Sequence, residues 1–200
     1  MEKSIIIHGQ PLHYRSVGKG PVVMLLHGFG EDSRIWSLVE APLAEKYRLI
    51  LPDIPGSGNS PAWDGNEVDA EGSSFPTMED FASAMKALLD AEEAETCTMI
   101  GHSMGGYVTL AFAEMFPERL KGFGLFHSTA DPDSPERKEA RRKAMTFIRD
   151  HGAERFLRQS IPDLFGERTR KDHPQLVEEL CARANEFSTK ALLQYYRAMI

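Results

Sequence analysis

Gly101-His102-Ser103-Met104-Gly105-Gly106 is the stretch whose residue types and spacing point to covalent chemistry. It lies between an apolar run and a helical pattern, and fits a G-x-S-x-G turn joining strand to helix. Such a turn strains its serine and needs small neighbours, which Gly101 and Gly105 supply and Gly106 extends. Ser103 is therefore the candidate nucleophile. The Met104 N–H would lie at a helix N-terminus, where developing negative charge is stabilised. The turn also projects Ser103 at the carboxyl ends of the strands, where open α/β sheets bind ligands.

Two more turns accompany it. His27-Gly28-Phe29-Gly30 follows the apolar run 22–26, and Asp53-Ile54-Pro55-Gly56-Ser57-Gly58-Asn59-Ser60 follows an apolar segment at 47–51. With these three segments in order, residues 1–130 closely resemble the α/β-hydrolase family, in particular small esterase- and peptidase-like members with a helical cap. The remainder resembles it loosely. The resemblance implies that the Phe29 N–H is the second oxyanion-hole donor beside that of Met104. Backbone amides suit this task because they need no protonation and are in place before reaction. It also implies that Gly28 and His127 border the substrate and that the 53–60 loop shapes the rim, with Asp53 in a structural role. His27 and His102 are expected to be hydrogen bonders within their turns. No metal or organic cofactor is implied, and serine rather than aspartate at position 103 argues against a dehalogenase-like mechanism.

A serine is a weak nucleophile until a base, itself oriented by an acid, takes its proton. In the family both partners follow the serine along the chain. Only His127, His151 and His173 lie beyond Ser103. His127 ends the strand read at 122–126, His151 precedes Gly152 at a helix end, and His173 opens a helix before Pro174. Asp131 stands where a minority of these enzymes place the acid, but no histidine follows in the right place. The expectation is that this chain is the N-terminal portion of a longer or divided hydrolase. Segment 122–126 would then be a sheet edge without protective charge or proline, covered by a C-terminal fragment or by self-association. The expected function is hydrolysis of small carboxylic esters or related acyl compounds through an acyl-enzyme on Ser103. Two other readings stand beside it: an inactive hydrolase-like fragment or binding module, and a lyase or C–C bond hydrolase using the same turn.

The elements that must position these turns follow from periodicity. A hairpin over 4–17 turning at 9–11 precedes the apolar runs 22–26, 47–51, 96–100 and 122–126, which alternate with helical patterns after Asp32 or Ser33, at 78–88 and at 104–116. Thr77-Met78-Glu79-Asp80 has the form of a capping box. The stretch 60–76, with Asp64, Glu67, Asp69 and Glu71, reads as a solvated loop. Beyond 130 the pattern becomes helical at 135–151, 153–160, 174–186 and 188–199. The fold class is α/β, a mostly parallel sheet with helices on both faces, divided into a core over 1–130 and a cap over 131–200. The cap aromatics Phe147, Phe156, Phe165, Tyr195 and Tyr196, with Leu192, form the pool for an acyl pocket.

Composition agrees. The 200 residues are 42% hydrophobic and 26% charged, as in a soluble globular chain of one or two domains. Net charge is -7, which argues against nucleic acid or an anionic membrane as partner and leaves a small-molecule acyl substrate. Residues 1–130 carry 9 basic and 18 acidic side chains, a net of -9, and residues 131–200 carry 14 and 12, a net of +2. Cys97 and Cys181 lie in apolar segments and read as buried, reduced thiols of a cytoplasmic protein.

Overall fold

The computed structural model describes residues 2–65, 67–68, 72 and 74–200. Six strands form one sheet: β1 (Glu2–Ile7), β2 (Gln10–Val17), β3 (Val22–Leu26), β4 (Arg48–Pro52), β5 (Cys97–His102) and β6 (Leu120–Phe126). Their spatial order is β1-β2-β4-β3-β5-β6, with β1, β2 and β4 antiparallel and β4, β3, β5 and β6 parallel. The hairpin turns at His8-Gly9, both at positive φ, one residue earlier than the glycine-proline signal indicates. Two consecutive left-handed residues match the twist of the flanking strands, so Pro11 enters β2.

β3 and β4 are mostly buried. One face is covered by α2 (Met78–Ala91) and α3 (Met104–Met115), whose Phe81, Met85, Leu88, Val108 and Phe112 are inaccessible to solvent. The Thr77 capping box is formed, with Asp80 Oδ2 accepting the Thr77 N–H at 2.9 Å. The opposite face carries a short 3-10 turn capped by Asp32, then α1 (Ser37–Ala44) over Leu25, Leu49 and Leu51.

The 60–76 stretch departs from the solvated loop expected of it. Trp63 is buried in the core, and Glu67–Val68 pairs with Ser74–Phe75 as a small antiparallel ladder. Asp69 and Glu71 lie outside the described residues. Acidic side chains along the segment hide the anchoring role of Trp63.

After β6 come α4 (Pro135–His151), α5 (Ala153–Ser160), α6 (Glu167–Asp172), α7 (Pro174–Ala182) and α8 (Thr189–Met199). α6 carries only polar and charged residues, so no apolar period announced it. The helical layer shares one hydrophobic cluster with the sheet: Ile148, Leu157, Leu192, Tyr195 and Met199 pack with Met24, Ile54 and Phe81. Cys97 is buried within this cluster, whereas Cys181 is only half-buried, a correction to the expectation that both are enclosed. Burial pushes the Cys97 thiol up to about 12, which suits an inert core residue.

Strand β6 lies at the sheet edge, as expected, but begins two residues earlier than its apolar pattern and so includes the exposed Lys121. Phe123 and Phe126 are each 49% exposed, and a Cβ placed on Gly122 would meet nothing. That side of the sheet is open.

Candidate active site

Ser103 follows β5 directly and caps α3 with φ 49° and ψ -114°. This backbone region is unfavourable for any side chain and costs on the order of 1–3 kcal/mol unless the surroundings enforce it. Here they do. The Ser103 N–H donates to Phe126 O at 3.0 Å, its carbonyl accepts the Gly106 N–H at 3.0 Å, and the Ser128 hydroxyl donates to the same carbonyl at 2.8 Å. The three glycines are required by close approach. A Cβ on Gly101 would collide with the Gly105 carbonyl, one on Gly105 with the Leu26 and His27 carbonyls, and one on Gly106 with Ser128. Strand, turn and helix meet too tightly for alanine.

The turn after β3 lies beside this elbow: a Cβ on Gly28 would come 3.1 Å from Ser103 Cβ. His27 is inaccessible to solvent. Its Nε2 accepts the Ile54 N–H at 2.9 Å, which assigns the proton to Nδ1, and Nδ1–H donates to Gly28 O at 2.9 Å. Gly28 O and the Phe29 N–H belong to one planar trans peptide and point in opposite directions. His27 thereby orients the Phe29 amide. It acts as the hydrogen bonder expected of it.

Glu31 was not singled out in the sequence, yet it closes the turn. Its Oε2 accepts the Gly28 N–H at 2.7 Å and His102 Nδ1–H at 2.8 Å. The readable signal was its spacing, since a Glu three residues after a turn residue can reach back to that residue's N–H, as in a capping box. Both polar backbone groups of Gly28 are thus engaged internally. Gly28 is itself a buried residue.

The remaining residues fall as follows. Met104 is the first residue of α3, so its N–H has no intrahelical acceptor. His127 is exposed at φ 48°, its ring 4.5 Å from that of Phe126 and 6.1 Å from that of His102. His151 ends α4 and His173 caps α7, both in the helical layer. Asp53 is buried and accepts the Ser33 and Asn59 N–H groups at 3.0 Å each, the structural role expected.

Helix α8 reaches the turns after β3 and β4. Gln194 donates to Trp63 O at 2.7 Å, Tyr195 donates to Pro55 O at 2.9 Å, and Tyr196 stacks on Phe29 with ring centroids 4.2 Å apart. Burial raises the Tyr195 phenol far above its usual range, so it stays a donor. Leu192 and Tyr195 have no exposed surface and belong to the core, which removes them from the acyl-pocket pool. Phe156 and Tyr196 flank Phe29 and remain in it.

A mostly parallel sheet flanked by helices, with a strained serine at a strand-to-helix turn beside a second glycine turn, defines an α/β protein. The chain matches the family described as alpha/beta hydrolase fold over residues 21–166, and it belongs to that family. It is 39% identical over 103 residues to a pimeloyl-[acyl-carrier protein] methyl ester esterase of Aeromonas hydrophila, a match covering 52% of this chain and 36% of that protein. It is 36% identical over 113 residues to a 2-hydroxy-6-oxo-6-phenylhexa-2,4-dienoate hydrolase of Comamonas testosteroni, covering 54% and 37% respectively. These matches span about a third of the relatives' lengths. A thermophilic esterase from Thermogutta terrifontis superposes with TM-score 0.85 at 30% identity, over 100% of this chain and 72% of its own. Among the described residues, no helix is long and apolar enough to cross a membrane, and no cluster of His, Cys, Asp and Glu could hold a metal ion.

Proposed function

We propose that this chain carries the nucleophile and oxyanion hole of a serine hydrolase acting on small carboxylic esters. The observation that carries the reading is Ser103 at φ 49° on the turn from β5 to α3, a strain enforced from several sides. Ser103 Oγ attacks the ester carbonyl, the carbonyl oxygen gains negative charge, and the Phe29 and Met104 amides receive it. The alcohol leaves, and water then releases the acid and regenerates Ser103. The esterase names of two relatives support an ester as substrate.

The base and its acid come from further polypeptide, a C-terminal segment or a second chain, which packs along β6 and covers Phe123, Phe126 and the open Gly122 face. Supporting this, His27 and His102 both direct Nδ1 to internal partners. The two unpaired thiols fit a reducing, cytoplasmic setting. A second reading keeps the elbow and cleaves a C–C bond, and the Comamonas testosteroni relative, named as a dienoate hydrolase, favours it.

The test is turnover of p-nitrophenyl acetate and butyrate by the full natural chain, with Ser103→Ala as control and a fluorophosphonate probe for covalent labelling. Turnover and labelling that both vanish in Ser103→Ala support the reading. Labelling elsewhere, or none, leaves an inactive binding module.

A further inference from the structure

Phe29 has a side chain as well as an amide, and the side chain belongs to the cap. Its ring stacks on Tyr196 at 4.2 Å with 22° between the planes and meets the edges of Phe156 and Tyr195 at 6.2 Å each. The Arg141 guanidinium lies over the Tyr196 ring, 5.6 Å from its centroid. Arg141 Nε donates to Asp133 Oδ2 at 2.5 Å, and its terminal nitrogen donates to the Tyr107 hydroxyl at 3.1 Å. Tyr107 in turn donates to Asp133 Oδ1 at 2.6 Å. Asp133 is almost fully buried, so this cluster is held firmly. Tyr107 stands on α3, four residues beyond Ser103, on the helix that begins with Met104. One chain of contacts therefore joins the turn bearing one oxyanion donor to the helix bearing the other.

We propose that Tyr196 is a positioning residue for the Phe29 amide, clamping the Phe29 ring so that the two oxyanion donors keep their spacing. The proposal rests on the reading of Phe29 and Met104 as those donors. His27 fixes the plane of the Gly28–Phe29 peptide from the core side, and Tyr196 restrains the same residue from the cap side. Gly30, at φ 66° with Leu157 of α5 against it, lets the chain turn away directly after Phe29. The cap is thereby part of the oxyanion hole's scaffold as well as a cover for substrate. A displacement of about 1 Å in such a donor can lower a rate on the order of 100-fold.

The experiment compares Tyr196→Leu, Tyr196→Phe and Arg141→Lys in the full natural chain. Two readouts are taken, the Phe29 amide resonance by NMR and kcat and KM for p-nitrophenyl butyrate. Tyr196→Leu keeps apolar volume but loses the stack. It is expected to move the Phe29 resonance and lower kcat about 10- to 100-fold, with KM within about threefold. Tyr196→Phe keeps the ring and is expected to restore both. Arg141→Lys keeps the charge facing Asp133 but loses the flat guanidinium over Tyr196, and is expected to fall between them. An unmoved Phe29 resonance in Tyr196→Leu overturns the proposal, as does a raised KM with unchanged kcat, which would make Tyr196 a substrate contact. Absence of Ser103-dependent turnover in the wild type would remove the ester-hydrolase reading, while the resonance comparison would still decide the coupling.

Discussion

Glu31 Oε2 lies 2.8 Å from His102 Nδ1 and takes the Gly28 N–H as well, so one carboxylate oxygen ties the turn after β3 to the residue preceding Ser103. Replacing it by alanine leaves two N–H groups without a partner in a largely buried site. Glu31→Ala is expected to lose about 1–3 kcal/mol of stability, and Glu31→Gln, whose amide oxygen still accepts, to lose less. Thermal unfolding of the two variants decides this. An alanine variant as stable as the glutamine one would show that the bridge is incidental.

The strain at Ser103 has a measurable consequence. Glycine adopts positive φ freely, so Ser103→Gly is expected to be more stable than Ser103→Ala by about 1 kcal/mol, although both lack the serine hydroxyl. Urea midpoints at equal slope make the comparison. The reverse ranking would contradict an enforced turn.

Glycine positions differ sharply in what they tolerate. Gly106→Ala forces α3 away from Ser128 and is expected to cost about 2 kcal/mol or more, with loss of Ser103 labelling. Gly122→Ala, where a Cβ meets nothing, is expected to be near neutral in a chain limited to these 200 residues. Denaturation of both variants settles the contrast, and equal effects would refute it.

Glu92 joins four elements at the far end of the sheet. Its nearly inaccessible carboxylate accepts from Lys3, Tyr14, Ser16 and Arg48. Burial pushes its pKa up, but the hydrogen bonds from these donors outweigh that and hold it down to about 2. A depressed carboxylate contributes stability that is complete above its unfolded value near 4.5 and is lost as pH falls towards 2. Glu92→Gln is therefore expected to cost roughly 2–4 kcal/mol at pH 7. The gap to wild type should narrow steadily below pH 4.5. A gap independent of pH would be the opposing result.

The exposed edge offers a fifth comparison. A chain of these 200 residues is expected to self-associate through β6 or to bind a hydrophobic dye, and Phe123→Lys to suppress both. Sedimentation and dye fluorescence report it. A monodisperse wild type without dye binding would mean that the edge needs no cover.

The elbow was legible because its chemistry is local: five consecutive positions encode small neighbours, strain and a helix start. The capping box at Thr77 and Asp80 and the helices at 135–151 and 153–160 were legible for the same reason, since their signals repeat within one or two turns. Glu31 escaped notice because its two partners lie three and 71 residues away, and only the first separation has a sequence pattern. Trp63 was hidden by its polar neighbours, and α6 by its lack of any apolar face.

By itself the sequence determined the order of the six sheet strands and of the apolar-faced helices, the glycine-flanked serine turn and the family turn at 27–30, because each depends on residues adjacent along the chain. Tertiary structure alone decided what holds them: Glu31 between Gly28 and His102, Tyr196 on Phe29, and Arg141 between Tyr196 and Asp133. These contacts join side chains brought together only when the sheet twists and the cap folds back over it. No spacing along a chain records such a meeting, since burial and packing select the partners after the elements have formed.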